Sequence, residues 1–367
     1  MLDASPDGAA LTRHPLWRAD IARILSARLP WETFEGKTVL VAGANGFLPA
    51  AMVETLLTLS AVIPGVKVVA LARSRENALR RLGGWLGHPA LCLRIADVSE
   101  PLDLDGPVDM IIHAASQASP RFYDADPVGT ALPNILGTQR LLELARHKKA
   151  SRFLYLSSSE VYGAIDGRAP IREQDFGPLD PATLRACYAE SKRMGETLCA
   201  SYGAQYGVDC VIARPFHTYG PGMRLDDGRV FADFVGDIVR GRDLVLNSDG
   251  AAERAFCYLA DAVEAFFTLL LKGEAGAAYN VGNARAVMSI RDLAMLLAGL
   301  FPERGLQARF APPRTGYLAS RVTRAAPDTT RLESLGWRAR TDAAEGFRRT
   351  IEIYSDIFGP SALGASA

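Results

Sequence analysis

Two stretches of this chain have the residue types and spacing for proton and hydride chemistry. Tyr188 and Lys192 stand four apart in YAESK, so on a helix they share one face. An ammonium beside a phenol favours the phenolate and draws its pKa from about 10 toward neutrality. Such a tyrosine can take the proton from a sugar hydroxyl while the carbon's hydride leaves for a nicotinamide. Upstream, the run Ser157-Ser158-Ser159-Glu160-Val161-Tyr162-Gly163 follows an apolar strand pattern. A serine at that strand end can share the hydroxyl's hydrogen bond. A Tyr and a Lys at this spacing are also an ordinary surface helix pair, so the pattern takes its meaning from what accompanies it.

What accompanies it is the stretch KTVLVAGANGFLPAAMVETL, residues 37–56. Val39-Leu40-Val41-Ala42 is an apolar run of the kind that forms a strand buried on both faces. Gly43-Ala44-Asn45-Gly46 follows, then a helical pattern carrying Met52, Leu56 and Leu59 on one face. Strand, glycine turn and helix present backbone N–H groups and a helix N-terminus to a pyrophosphate. Gly43 allows the tight turn and Gly46 the close approach of phosphate. Where a third glycine would complete the pattern the chain has Pro49, which a helix's first turn tolerates. Further strand patterns at 66–71, 91–95, 107–114, 152–156 and 208–213 alternate with helical ones, including 133–146 and 185–206. That alternation predicts an α/β fold with a doubly wound parallel sheet and its ligand at the carboxyl ends of the strands. After the second strand come Arg73, Ser74 and Arg75, where an NAD site usually has an acid for the ribose hydroxyls and an Arg can hold a 2′-phosphate. Asp97, after the third strand, is a partner for the adenine amino group. His113 at the end of the fourth reads as a loop hydrogen-bonder rather than a catalyst.

Composition excludes several other classes. The 367 residues carry 41 Lys plus Arg against 41 Asp plus Glu, so the net charge is zero and nothing draws the chain globally to nucleic acid or anionic membrane. The five cysteines, Cys92, Cys187, Cys199, Cys210 and Cys257, show no paired spacing and read as reduced thiols of a cytoplasmic protein. No signal peptide, membrane span or metal-ligand cluster is visible in the sequence. Residues 1–13 are expected to lack order. Residues 16–29 form an amphipathic helix through Trp17, Ile21, Ile24, Leu25 and Leu29, ended by Pro30, and late helices are expected at 290–300 and 345–357 with a loose tail from Gly359. Dense turn signals from Pro215 to Gly228 mark entry into a smaller segment.

With these motifs in order, the chain resembles the extended short-chain dehydrogenases that modify nucleotide sugars. The resemblance covers roughly residues 37–354 and rests on VAGANGFL, Asp97-Val98, HAAS, NILGT, SSSEVYG, YAESK, RPFHTYGPGM, DDGRV, RAFCYLAD, YNVGN and PDTTRLESLGW. It implies an N-terminal arm over 1–36, an NAD(P)-binding Rossmann domain over 37–215 rejoined by about 254–272, and a nucleotide-sugar-binding cap from 216–253 and 273–358. It implies Ser158, Ser159, Glu160, Tyr188 and Lys192 as catalytic residues. Cofactor contacts fall on Gly43, Asn45, Gly46, Phe47, Leu48, Arg73, Asp97, Val98, Ala114, Ala115, Tyr188 and Lys192, and substrate contacts on Ser116, His217, Arg224, Val230 and Arg254. The implied cofactor is NAD, with NADP as the alternative; the implied partners are a nucleoside diphosphate sugar, a UDP-sugar first, and a second copy of the chain in a homodimer.

Three of four candidate reactions share the opening oxidation at C4. A C5 carboxylate then leaves as carbon dioxide, a C6 hydroxyl leaves as water, or the ketone turns over and is reduced as the 4-epimer; a 4-keto reductase runs the last half alone with NADPH. Glu160 preceded by Ser159 resembles the UDP-glucuronate decarboxylases, and also GDP-mannose dehydratases, whereas glucose-type 4,6-dehydratases usually have Asp before that Glu. The run from Gly220 to Phe234 resembles the decarboxylases most, so decarboxylation is the leading expectation. A non-catalytic NAD(P)-sensing protein is the reading from another class, and such proteins typically lose the Tyr or the Lys. His217 stands where the family usually has Asn, and Gly222 where the decarboxylases usually have Arg after Gly-Pro.

Overall fold

The computed structural model describes residues 6–165, 170–311 and 324–363, with side chains described as far as 358. In chain order the elements begin with α1 (Gly8–Arg13), α2 (Pro15–Leu25), β1 (Thr38–Ala42), α3 (Phe47–Leu59), β2 (Lys67–Ala72), α4 (Arg75–Leu82), β3 (Leu91–Ile95) and β4 (Met110–His113). They continue through α5 (Arg121–Ala125), α6 (Pro127–Lys148), β5 (Arg152–Leu156), α7 (Ala186–Tyr206), β6 (Cys210–Pro215), β7 (His217–Tyr219), α8 (Val230–Val239) and β8 (Leu244–Leu246). The last are β9 (Glu253–Tyr258), α9 (Leu259–Lys272), β10 (Ala278–Val281), β11 (Val287–Ser289), α10 (Ile290–Gly299), β12 (Ala308–Phe310), β13 (Arg324–Ala325), α11 (Thr330–Glu333) and α12 (Ala343–Leu363).

The main sheet is parallel and runs β10-β6-β5-β4-β1-β2-β3. Every residue of β1 is buried because β1 lies between β4 and β2 and is covered on both faces. On one face Met52, Val53, Leu56 and Leu57 of α3 join Phe266, Phe267, Leu269 and Leu270 of α9 in one core. On the other, Leu141 and Leu142 of α6 join Cys199 and Tyr202 of α7. The strand order reverses beside β1, and the crevice that opens there at the carboxyl ends is where such sheets take their ligands. Two smaller groups of strands stand apart. β9 pairs with β7, β11 and β13, and β8 pairs with β12. β10, inside the second cap segment expected from the sequence, is instead the seventh strand of the main sheet.

Two local readings need correction. Residues 8–13 are helical, not disordered: Asp7 accepts the Ala10 N–H at 3.1 Å as N-cap, and Leu11 is wholly buried. The helix expected over 133–146 runs from Pro127 to Lys148 with Pro133 inside it. Pro127 at the first position and the Asp126 side chain on the Gly129 N–H start it early. The bond Pro133 cannot donate is a single missing rung, facing the Gly129 carbonyl.

Candidate active site

The dinucleotide end of the crevice is built from backbone. Gly43 turns with φ +79°, and a Cβ there would lie 2.7 Å from the Ala115 Cα, so only glycine lets the turn touch the segment leaving β4. The Gly43 and Ala44 N–H groups both donate to the Leu71 carbonyl, at 2.9 and 3.0 Å. Asn45 lies in the turn, and Gly46 is the N-cap of α3 with no side chain capping it. The first N–H groups of α3, beginning at Phe47 and Leu48, thus face the crevice without an internal side-chain acceptor, as an anion site requires. Pro49 sits buried in the first turn, as expected. Ala114, Ala115 and Ser116 leave β4 on the other side, and the Ser116 hydroxyl is buried without a partner among the described residues. Val98 packs on α6 where a Cβ at Gly137 would meet its Cγ2 at 2.7 Å. Asp97 accepts the Ser99 N–H through Oδ1 at 2.9 Å. Arg73 is exposed just past β2, and its charge helps hold the Asp126 carboxyl below its usual range, after the Gln117 and Gly129 hydrogen bonds. A glycine cradle, an uncapped helix and an unpaired buried hydroxyl fit a dinucleotide.

The hydroxyl chemistry lies at the ends of β5 and α7. Ser158, past β5, caps the short 3-10 turn Ser159–Tyr162 by accepting the Glu160 N–H at 3.2 Å. Tyr188 and Lys192 are 5% and 3% exposed on the inward face of α7. Burial raises the Tyr188 phenol above its ordinary value, and the facing Ser158 hydroxyl and the Arg229 charge pull it back down. This corrects the expectation from spacing, which drew the phenol toward neutrality: with water excluded it lies above its ordinary value, and Lys192 is not among the main influences on it. Its Nζ donates to the Leu156 carbonyl at 2.7 Å, and burial, opposed by Glu196, brings its own pKa down to about 7. Beneath them Glu196 takes Arg214 through two bonds, 2.9 and 2.6 Å, and the Ser157 hydroxyl at 2.5 Å. His113 is a buried neutral imidazole 3.0 Å from the Thr138 hydroxyl, pushed down to about 3 by burial and then Lys192.

The opposite wall comes from the cap side. His217 in β7 lies between the Phe231 and Phe256 rings, and its Nδ1 has no partner among the described residues. Burial, then Arg254, then Arg229 push His217 down to about 3, so a neutral imidazole stands beside two guanidiniums. Arg254 is 7% exposed in β9 and donates to the Glu253 carbonyl at 2.7 Å, while the Glu253 carboxylate pairs with Arg324 at 2.9 Å. Val230 opens α8. Arg224 lies out at the rim, bound to both oxygens of Asp226 at 2.9 Å each. Gly222, with φ +90°, leaves space that the Arg81 guanidinium of α4 enters: a Cβ at 222 would lie 2.5 Å from its Nη2.

Three site residues were not singled out from the sequence. Tyr123 of α5 stacks on Tyr188 with centroids 5.2 Å apart and planes at 18°. Arg185, one turn before Tyr188, donates through Nη2 to both Glu160 oxygens at 3.0 Å. Arg229 donates to the Ala118 carbonyl at 3.0 Å, tying the cap loop across the crevice, as Arg121 does to Asp226 at 2.8 Å. The Arg185 signal was present as a cation one turn from the base; the DDGRV motif already held Arg229.

Residues 39–282 match the NAD dependent epimerase/dehydratase family. UDP-glucuronic acid decarboxylase 6 of Arabidopsis thaliana is 39% identical over 245 residues, 67% of this chain and 69% of that one. UDP-glucuronic acid decarboxylase 1 of Danio rerio is 32% identical over 320 residues, 87% of this chain and 73% of that one. Among solved structures, a dTDP-glucose 4,6-dehydratase from Streptomyces venezuelae, determined with NAD, superposes with a TM-score of 0.74 at 28% identity over 88% of this chain and 98% of that one.

Proposed function

The chain belongs to the NAD dependent epimerase/dehydratase family and is an NAD-dependent enzyme, and from that premise we propose that it decarboxylates UDP-glucuronate. The observation that carries the reading is the placement of Ser158, Ser159 and Glu160 on one turn beside Tyr188, in a chain similar over most of its length to UDP-glucuronic acid decarboxylases. NAD, when bound, takes up and later returns the C4 hydride of the sugar. Tyr188 accepts the C4 hydroxyl proton while Ser158 holds the same oxygen. The product is a β-keto acid, whose C5–C6 bond breaks with its electron pair passing to the C4 oxygen as an enolate, held by the same two hydroxyls. Glu160 positions the ring and relays to C5 a proton drawn from solvent, the one consumed overall when carbon dioxide leaves, and Tyr188 returns its proton as the ketone is reduced. Lys192 fixes the cofactor side of the phenol, and Gly43, Gly46, Phe47 and Leu48 take the pyrophosphate. His217, Arg229 and Arg254 receive the substrate diphosphate, for which an arginine fork is suited.

The test is incubation with UDP-glucuronate, read by mass and by carbon dioxide release. Loss of carbon dioxide to a UDP-pentose is expected. Inertness, with water lost from a 6-hydroxy nucleotide sugar, replaces this reading by dehydration. Glu160→Gln should slow the steps after oxidation more than oxidation itself, so that reduced cofactor accumulates at 340 nm.

The active form is a homodimer through α6 and α7. Val128, Leu132 and Leu136 are 65%, 38% and 40% exposed along one stripe of α6, and Met194 of α7 is 46% exposed. Apolar residues four apart on an exposed helix suit an isologous helical interface. Light scattering at micromolar concentration should give twice the chain mass; the mass of one chain rejects the dimer. No helix among the described residues is long and apolar enough to cross a membrane.

A further inference from the structure

At the mouth of the crevice one guanidinium touches both the acid and the ring that covers the base. Arg185 precedes α7 by one residue. Its Nη2 donates to Oε1 and Oε2 of Glu160 at 3.0 Å each, and its Cζ lies 4.7 Å from the centre of the Tyr123 ring, itself stacked on Tyr188. The hydrogen bonds described use Nη2 alone, and a guanidinium carries five N–H donors in a planar fork. The two side chains are 49% and 40% exposed, so the pair is reachable from solvent and water screens it. An exposed ion pair of this kind is reorganised at small cost.

A sugar bearing a carboxylate at C5 brings a second anion to this spot. Two carboxylates side by side do not both stay ionised without a cation between them. We propose that Arg185 is the specificity-determining residue for that carboxylate: it keeps Glu160 oriented and turns its remaining N–H groups to the incoming sugar carboxylate, so that both anions are held together. The inference rests on the decarboxylase reading and adds to it the residue that tells a uronic acid from a neutral sugar. Tyr123 sets the plane of the guanidinium through its ring, and thereby the direction in which the unused N–H groups point.

The experiment measures binding of UDP-glucuronate, UDP-glucose and UDP to the NAD-loaded protein by titration calorimetry, for the wild type, Arg185→Ala and Arg185→Lys, alongside carbon dioxide release by the wild type. Arg185→Ala should weaken UDP-glucuronate about tenfold or more, the loss of one charge-assisted contact, and leave UDP-glucose and UDP within about twofold. Arg185→Lys should recover part of the loss. Equal weakening of all three ligands, or none of UDP-glucuronate, overturns the proposal while carbon dioxide release by the wild type leaves the decarboxylase reading standing. A wild type that releases no carbon dioxide and does not prefer UDP-glucuronate to UDP-glucose overturns that reading and the proposal together.

Discussion

On the sheet side of the crevice Tyr188, Lys192 and Ser158 are all less than a tenth exposed, and the Glu196–Arg214 pair beneath them is 13% and 4% exposed. On the cap side Arg254 is buried too, but at the rim Arg224 and Asp226, with Arg121 reaching across from α5, are each about 40% exposed and are joined by ion pairs at 2.8 and 2.9 Å. The two walls hold their polar groups by different physics. A dry wall fixes each donor by removing the water that could replace its partner, so one lost contact leaves another group unpaired. A wet wall holds charges in pairs that are individually weak and can be traded for the oxygens of a ligand. Proton and hydride transfer require the first kind of surface, and admission of a diphosphate requires the second.

The strongest way to break this contrast is at the dry wall. Tyr188→Phe should lower carbon dioxide release by about 10²–10⁴-fold while the purified protein still carries NAD, identified after acid release. Near-normal turnover would mean that the buried phenol is not the base. Lys192→Met should also abolish most turnover and yet stabilise the cofactor-free fold. The folded lysine gives up its proton at about 7 instead of 10.5, so between those values the unfolded chain holds more protons and stability rises with pH. Below that window the buried ammonium opposes folding in full. Denaturant titrations at pH 7 and pH 9 should show this rise in the wild type and lose it in the methionine variant, which should be the more stable at pH 7.

The wet wall should give smaller and more graded effects. Arg229→Ala should raise KM for the nucleotide sugar by about tenfold with less change in kcat, because a cation that receives the diphosphate acts alike before and during the reaction. A fall in kcat with KM unchanged would move Arg229 to the chemical side, through its charge on Tyr188. Arg224→Ala should be the mildest, within about fivefold and less still at high salt, since its pairing with Asp226 is exposed and screened.

The contrast also separates what could be read from residues alone. β1, its glycine turn and α3 were legible because strand period, turn and helix start are contiguous, and the Tyr188–Lys192 face was legible because helix geometry fixes it locally. Tyr123, Arg185 and Arg229 were not, because their roles come from three segments distant in sequence, α5 and the starts of α7 and α8, meeting around one ring. Spacing placed Lys192 near Tyr188 but said nothing about water, and it is the exclusion of water that sets both pKa values. The first helix was missed for a similar reason: six residues with one buried leucine are a helix only against the surface of α4 that receives them.

Gly222 carries that lesson furthest. The resemblance leads one to expect an arginine at this position, and the chain has glycine. In space the room beside it is already filled, by the Arg81 guanidinium of α4 and by Leu11, whose Cδ2 lies 3.4 Å from where a side chain at 222 would begin. An alignment column records where a backbone passes, whereas the room for a side chain depends on which neighbour already fills it. An arginine at 222 would therefore collide with the Arg81 guanidinium at its first carbon, on a backbone whose φ of +90° favours glycine, and the variant that makes the sequence look more like its relatives would have to displace that side chain of α4 or the turn to exist.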